Sequence, residues 1–213
     1  MTYKSFKYRI YPNKEQSSHL DQFLGAKRWV YNHFLAENNE RYHRRKDSSE
    51  KTAENKQLSH FDMNNALVPL KEIHTWLKDV DSQSLQAVCG DLANAYSNFF
   101  KSLTGERKGK KSELPKFKKR TGHQSYRTPN NNSCIYLKDG KLRLPKIKTH
   151  INISLDRQPI GKIKSATISK TPSGKYFASL LCETEINLKP MTGKEVGIDL
   201  GLKGLSQNQS MDT

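Results

Sequence analysis

The sequence has few of the features that mark a membrane, secreted or disulfide-bonded protein. No apolar run approaches the roughly 20 residues that a transmembrane helix needs, and no signal-peptide core follows Met1. Cys89, Cys134 and Cys182 are far apart and form no CxxC pair, so we expect reduced thiols. The seven histidines show no metal-site spacing, which favours packing or surface roles. These observations predict a cytoplasmic protein with no membrane partner.

Acidic residues are also scarce, and the deficit is concentrated in one part of the chain. The 37 Lys and Arg residues outnumber the 21 Asp and Glu residues, which gives a net charge of +16. Residues 101–150 carry 15 basic and 3 acidic residues, whereas the segments before and after them each have a net charge of +2. A local excess of this size indicates a polyanionic partner, usually nucleic acid. A solvated basic linker is the alternative.

The first hundred residues predict one strand followed by helices. Residues 2–11 alternate apolar and basic residues, as in a half-buried strand. Asn13 and Gln16 fit a capping box that starts a helix reaching about Tyr42. Within this helix Trp29 follows two basic residues, so it either stacks on a nucleic-acid base or packs in the core. Residues 41–56 predict a loop or a frayed helix end.

Further helical segments follow before residue 105. Ser59 and Asp62 fit the start of a helix to Leu67, which we expect Pro69 to interrupt. Asp81 or Ser82 is expected to cap the most regular amphipathic helix, which ends near Gly105.

After residue 130 the pattern changes to short strands. Asp139-Gly140 between two apolar-alternating segments predicts a two-residue hairpin turn. Alternation continues through residues 147–155, 160–170 and 176–185. Several short strands at this spacing favour a small barrel, which the first strand would complete because it has no partner among the helices. The helical bundle would then be an insertion between barrel strands.

Residues 105–128 form a basic segment that Gly and Pro residues break. Phe117 lies among its cations, where it could stack on a base or pin a linker to the domain. The candidate nucleic-acid-binding residues belong to this segment and to two short basic clusters before it, one in the first strand and one in the first helix. They are Lys7, Arg9, Lys27, Arg28, Arg107, Lys108, Lys110, Lys111, Lys116, Phe117, Lys118, Lys119, Arg120 and Arg127.

Near the C-terminal end, Val196-Gly-Ile-Asp-Leu-Gly-Leu-Lys203 places a single carboxylate, Asp199, within an apolar run. A carboxylate on a buried strand is costly unless a metal or hydrogen-bond donor meets it. The run resembles the first strand of an RNase H-like (RuvC) nuclease, in which this Asp is a metal ligand. Actin-like and Hsp70-like ATPases open similarly, but they have Thr or Ser after the second Gly. A capping role for Asp199 is the structural alternative.

Six features in order together resemble the TnpB/OrfB family encoded by bacterial insertion sequences, relatives of type V CRISPR effectors. They are Tyr8-Arg-Ile-Tyr-Pro12, Ser84-Leu-Gln86 through Asn98-Phe-Phe-Lys101, Leu114-Pro-Lys-Phe-Lys118, Leu144-Pro-Lys-Ile147, Ser173-Gly-Lys-Tyr176 and Gly197-Ile-Asp-Leu-Gly201.

The resemblance implies an α+β fold: a wedge-type β-barrel with an inserted helical recognition lobe, followed by a RuvC-type nuclease domain. The implied division has five parts. Residues 1–12 are the first barrel strand, residues 13–104 the helical lobe and residues 105–128 a basic linker. Residues 129–190 are the rest of the barrel, and residues 191–213 are the start of an uncompleted RuvC-like domain. It further implies an RNA-guided DNA endonuclease, historically named transposase, with guide RNA and target double-stranded DNA as partners.

For Asp199 the resemblance implies the first catalytic, Mg²⁺-binding carboxylate. The family's later Glu and Asp and its Cys-rich zinc module have no counterpart in this sequence, so we expect no stably bound Mg²⁺ and an incomplete two-metal site. The alternative function is a non-catalytic RNA- and DNA-binding derivative, such as a repressor, or a decayed transposase fragment.

Overall fold

The computed structural model describes residues 1–47 and 56–185 and the backbones of two short strands at 197–199 and 207–209. Among these residues it has the α+β composition that the sequence predicts. The helices are α1 (Lys14–Asp47), α2 (His60–Ile73), a 3₁₀ helix (Thr75–Asp79) and α3 (Ser82–Leu103). The strands are β1 (Thr2–Tyr11), β2 (Gln124–Pro129), β3 (Tyr136–Lys138), β4 (Lys141–Arg143), β5 (Ile151–Ser154), β6 (Lys162–Lys170), β7 (Tyr176–Thr184), β8 (Gly197–Asp199) and β9 (Gln207–Gln209).

Strands β1 to β7 form one curled antiparallel sheet in the order β2-β6-β7-β1-β5-β4-β3. Strand β1 lies in the interior of this sheet and pairs with β7 along nearly its whole length and with β5 at its end. This confirms that the first strand pairs with strands from the second half of the chain. The three α-helices are inserted between β1 and β2, also as predicted.

The sheet is a half-barrel and does not close, which corrects the expected barrel. Its edge strands β2 and β3 are not paired with each other. One side chain spans the gap instead: the Asn130 amide accepts from the Ile135 N–H (2.9 Å) and donates to the carbonyls of Ile135 and Ile163 (2.9 Å each). Ser133 in this connection has a φ of 52°, in the left-handed region.

The core lies between the inner face of the sheet and the helices. Phe6, Tyr8 and Ile10 of β1 are buried, as their alternation predicts. Helix α1 packs against the sheet through residues such as Phe23, whose ring meets that of Tyr126 edge-on at 5.8 Å. The sheet and the helical lobe therefore share one hydrophobic core.

Local signals in the sequence identify most of the element ends. Asn13 and Gln16 bond each other's backbone N–H at 2.8 and 2.9 Å, which is the predicted capping box. Ser59 and Asp62 form a second box at α2, and the Asp81 side chain caps α3. Asp139 and Gly140, with φ of 50° and 68°, form the predicted hairpin turn between β3 and β4.

Two predictions about secondary structure were wrong. Pro69 lies inside α2 and does not interrupt it, because Leu67 and Leu70 on either side are buried and tertiary packing outweighs the lost hydrogen bond. Strand β2 begins at Gln124, inside the segment that we assigned to the linker. Its apolar pattern is short, but Tyr126 and Thr128 are both buried.

A backbone constraint in the sheet gives a stability prediction. Gly161 has a φ of 92°, and a Cβ there would lie 2.0 Å from the carbonyl oxygen of Glu183 on the neighbouring strand. Gly174 has a φ of 79° and open space around it. Gly174→Ala should cost about 1–2 kcal/mol of unfolding free energy from backbone strain alone. Gly161→Ala should cost about 1–3 kcal/mol more, because the clash adds to the strain.

Urea unfolding of the two variants measures this difference directly. Equal losses for Gly161→Ala and Gly174→Ala would contradict the close approach of residue 161 to strand β7.

Candidate nucleic-acid interface

The C-terminal part of the basic segment is held against helix α1. The Asn32 side chain accepts a hydrogen bond from the Lys118 N–H (2.8 Å) and donates one to the Lys118 carbonyl oxygen (3.0 Å). We call this pair of bonds the Asn32 bracket. Leu114 packs against the hydrophobic core nearby. The segment is therefore docked at these residues, and they are not part of a freely solvated linker.

Lys118 is held by contacts of both its backbone and its side chain. Its ammonium lies 3.9 Å from the centre of the Tyr31 ring, within the range of a cation–π interaction. Loss of hydration and the neighbouring charge of Lys27 lower the pKa of Lys118 to about 8, whereas Asp91 acts in the opposite direction. More than a third of the residue surface is nevertheless exposed. Its protonation therefore changes within the range in which binding is commonly measured.

Two other candidate residues face a carboxylate inside the fold. Asp91 of α3 lies 3.6 Å from the Lys27 amino group and 3.6 Å from the Arg127 guanidinium. Lys27 is buried, with 9% of its surface exposed, and burial lowers its pKa despite the opposing effect of Asp91. Lys27 thus contributes positive potential from below the surface rather than an exposed contact.

Helix α1 and the basic segment enclose a concave basic site, which we call the basic cavity. It has a volume of about 260 Å³, and the polar residues that line it are Lys27, Arg28, Lys118, Lys119, His123, Gln124 and Ser125. Arg28 donates to Gln124 Oε1 at 2.7 Å, and Gln124 in turn donates to the Arg120 carbonyl oxygen at 2.9 Å. Four predicted binding residues are therefore brought together here.

The remaining cations of the segment are exposed and spread along it. Lys116 pairs with Glu113, three residues away. Phe117 is 54% exposed, so it does not pin the segment to the domain; the Asn32 bracket does. An exposed aromatic ring beside cations suits stacking on a base. The other exposed cations are Arg107, Lys108, Lys110, Lys111, Lys119 and Arg120.

Lys7 and Arg9 lie on the outer face of the sheet, away from the basic cavity. Both cations lie over the ring of Phe177, at 4.9 and 5.3 Å from its centre. Arg9 Nε is buried without a hydrogen-bond partner among the described residues. Sequence reasoning missed Phe177. It lies beside Lys7 and Arg9 only because the register of β1 and β7 pairs Arg9 with Phe177.

A second concave site, the polar cleft, was not identified from sequence. It has a volume of about 350 Å³ and is lined mainly by side-chain amides together with one histidine and one arginine. These residues are His60, Asn64, Gln83, Gln86, Asn94, Arg127 and Asn131. Asn64 Oδ1 and Gln83 Oε1 are buried with no partner in the part of the chain that the structure describes. These residues come from α2, α3, strand β2 and the loop after it, and no spacing in the sequence connects them.

Trp29 is partly buried and packs against the hydrophobic core, which favours the core interpretation. Its ring stacks on His33 at 5.1 Å and meets His74 and Trp76 edge-on at 4.6 and 5.4 Å. Burial is the largest cause of a lowered pKa for His33. This aromatic cluster joins α1 to the turn after α2.

The side chain of Asp199 lies outside the described residues. Its backbone belongs to β8, which pairs with β9 so that Asp199 stands opposite Gln207. Within 1–47 and 56–185 no group of His, Cys, Asp and Glu residues is arranged to hold a metal ion. No helix in the described part of the chain is long and apolar enough to cross a membrane. The catalytic role of Asp199 stays a prediction.

The Asn32 bracket predicts that one amide controls the order of the basic segment. Its two hydrogen bonds are worth about 1 kcal/mol each. Asn32→Ala should therefore raise the rate of trypsin cleavage after Lys118 and Lys119 by about tenfold or more, since 1.4 kcal/mol is a factor of ten in the opening equilibrium.

The matched control is Asn98→Ala, which removes an exposed amide from α3. If both variants were cut at the wild-type rate, the bracket would not be what holds the segment.

Comparison with known proteins gives one family. Residues 1–47 match the HTH_OrfB_IS605 model, described as a helix-turn-helix domain. In the structure these residues are β1 and a single helix of 34 residues, without a turn between two helices. The match therefore identifies the family but not a recognition helix in the sense of that motif.

Three relatives are similar over long stretches. The chain is 31% identical over 207 residues to "Putative RNA-guided DNA endonuclease InsQ" of Escherichia coli K12, covering 95% of this chain and 46% of the relative. It is 30% identical over 206 residues to "Putative RNA-guided DNA endonuclease" of Streptomyces pristinaespiralis, covering 95% and 47%. It is 31% identical over 119 residues to "Virulence protein VsdF" of Salmonella dublin, covering 56% and 95%.

The chain spans about half the length of the two endonuclease relatives. The match to the OrfB model and the similarity over most of this chain agree with the six motifs of the sequence. The chain belongs to the TnpB/OrfB family of insertion-sequence-encoded RNA-guided endonucleases.

Proposed function

We propose that this chain is the nucleic-acid-binding portion of a transposon-encoded RNA-guided DNA endonuclease, which holds guide RNA and target DNA. The observation that carries the proposal is the docked basic segment, in which the Asn32 bracket fixes Lys118 beside the exposed Phe117. A guide–target heteroduplex is gripped mainly through its phosphates, which requires ordered cations more than base-specific groups.

The charge distribution supports a polyanionic partner. Of the net charge of +16, +12 lies in residues 101–150. Helix α1 adds Arg28 on the same side as the basic segment, at the basic cavity. A surface of this kind supplies the sequence-independent part of the binding energy and makes it dependent on salt.

Two other surfaces support contact with bases. On the outer face of the sheet, Phe177 with Lys7 and Arg9 combines an aromatic ring with cations, a combination that suits single-stranded nucleic acid. The polar cleft offers amide side chains of the type that read base edges, of which Gln86, Asn94 and Asn131 are exposed. We assign phosphate contacts to the cations of the basic segment, and base contacts to Phe117 and to these two sites.

The salt dependence of binding tests the proposal. If the basic segment contacts about 6–10 phosphates, affinity should fall by about 10³–10⁵-fold between 50 and 200 mM salt. Replacing Lys116, Lys118, Lys119 and Arg120 with Ala should flatten the plot of log affinity against log salt. Fluorescence anisotropy with a labelled RNA–DNA duplex measures both quantities.

The charge-matched control replaces four exposed lysines elsewhere, Lys101, Lys138, Lys148 and Lys175, with Ala. An unchanged slope in the basic-segment variant, or an equal change in both variants, would indicate that the segment is only a solvated linker.

We further propose that these 213 residues do not by themselves cut DNA. Two Mg²⁺ ions about 4 Å apart need several carboxylates to offset their repulsion, and Asp212 is the single carboxylate that follows Asp199 in the sequence. A nuclease assay with the purified chain, guide RNA and Mg²⁺ should therefore give binding without cleavage.

Guide-dependent cleavage that disappears in the Asp199→Ala variant would contradict this prediction. Cleavage that persists in Asp199→Ala would indicate a contaminating nuclease.

A further inference from the structure

We propose that the basic cavity is a built binding site for one phosphate group of a nucleic-acid strand. This inference rests on the proposed function and adds to it one specific site. It concerns the space between α1 and the basic segment, lined by Lys27, Arg28, Lys118, Lys119, His123 and Gln124.

The charge balance of the cavity calls for an anion. Four side chains with cationic groups, Lys27, Arg28, Lys118 and Lys119, converge on a space of about 260 Å³. The carboxylate that faces them, Asp91, lies at equal distance from Lys27 and from Arg127 outside the cavity. Uncompensated like charges in a partly dehydrated site raise the free energy of the protonated lysines. A bound phosphate would remove that cost.

The donors are already ordered before any ligand arrives. The Asn32 bracket fixes the backbone of Lys118, and its ammonium lies over Tyr31. Arg28 uses one of its five N–H donors on Gln124, which fixes the plane of the guanidinium. Preorganised donors lose little conformational entropy on binding, and a guanidinium matches the geometry of phosphate oxygens.

The size and position of the cavity favour a phosphate within a strand. A water occupies about 30 Å³ of liquid, so the space can hold a phosphate group together with several waters. Lys119 leads directly to the exposed Arg120, while Phe117 is exposed on the other side of Lys118. A strand with one phosphate in the cavity would therefore find further cations for its neighbouring phosphates and an aromatic ring for a base.

The first test compares two charge-matched double variants. Arg28→Gln with Lys118→Gln removes two donors of the cavity, whereas Lys138→Gln with Lys175→Gln removes two exposed charges elsewhere. For a fluorescent single-stranded oligonucleotide, the cavity variant should lower the slope of log affinity against log salt by about 0.7 for the lost phosphate. The control variant should keep the wild-type slope.

The second test uses the protonation of Lys118, which faces Lys27 and Tyr31 of α1, Asp91 of α3 and His123 of its own segment. Its pKa is lowered to about 8. Because the phosphate would bind the protonated amine, wild-type affinity should fall as pH rises from 7 to 9. Lys118→Arg stays protonated and should lose less affinity over that range, whereas Lys175→Arg should follow the wild type. Lys118→Arg is a conservative change, so it still tests the proposal if the double variant fails to fold.

The third test separates a strand phosphate from free phosphate. Thermal unfolding in inorganic phosphate and in chloride at equal ionic strength shows whether the cavity binds the isolated anion. Stabilisation by phosphate that is lost in the cavity variant, without any change in oligonucleotide affinity, would overturn the proposal in favour of a free-anion site.

The outcomes also separate this inference from the proposed function. If the wild type binds the oligonucleotide and the cavity variant has the same affinity, slope and pH profile, the cavity proposal is wrong and the proposed function stands. If the wild type does not bind nucleic acid, both are wrong.

Discussion

The pairing of β1 with β7 is the interaction on which the rest of the structure depends. It joins residues far apart in the chain, such as Tyr8 and Ala178, and puts the first strand in the interior of the sheet. Closing so long a loop is entropically costly, so the burial of Phe6, Tyr8 and Ile10 has to offset that cost. The buried residues of α1, α2 and α3, which lie between the two strands in the chain, share one hydrophobic core with the sheet.

The position of β1 also sets the position of the candidate interface. Helix α1 starts at Lys14, three residues after the strand ends, and its capping box fixes the direction in which the helix leaves the sheet. The helix then packs on the sheet through Phe23 and presents Arg28, Tyr31 and Asn32 to the basic segment. The strand that orders the fold is thus connected, through one rigid helix, to the residues that order the cations.

Charge and order are separate properties in this protein, and the site needs both. Net charge alone attracts any polyanion and is screened by salt. What the structure adds is a fixed arrangement at a few positions: a backbone held by Asn32, an ammonium over an aromatic ring and a guanidinium held by Gln124. In the described contacts, the exposed cations of the basic segment before residue 114 have no such side-chain partner, although the Arg107 N–H donates to the Lys101 carbonyl oxygen at 3.1 Å. Their role is the less specific one.

Features with a local physical cause could be predicted from the sequence. The capping boxes at Asn13 and Ser59, the Asp139-Gly140 turn and the buried alternation of β1 each depend on residues within a few positions of one another. The family also followed from local motifs, because their order is preserved.

Features that depend on distant contacts could not be predicted in this way. The ion pairs of Asp91 with Lys27 and Arg127 join three elements, so Lys27 looked like an exposed binding residue when it is buried. Phe177 acquires its cations only through the register of β1 and β7. The polar cleft is assembled from α2, α3, strand β2 and the loop after it, and no pattern in the sequence marks its amides.

Photo-crosslinking tests the central claim most directly. An oligonucleotide carrying photoreactive nucleotides would be bound to the wild-type chain, irradiated and mapped by mass spectrometry. The account predicts that crosslinks concentrate in residues 114–125 and on the facing turn of α1 around Arg28. Crosslinks that avoid both stretches would contradict it, because the ordered cations would then not be where the strand lies.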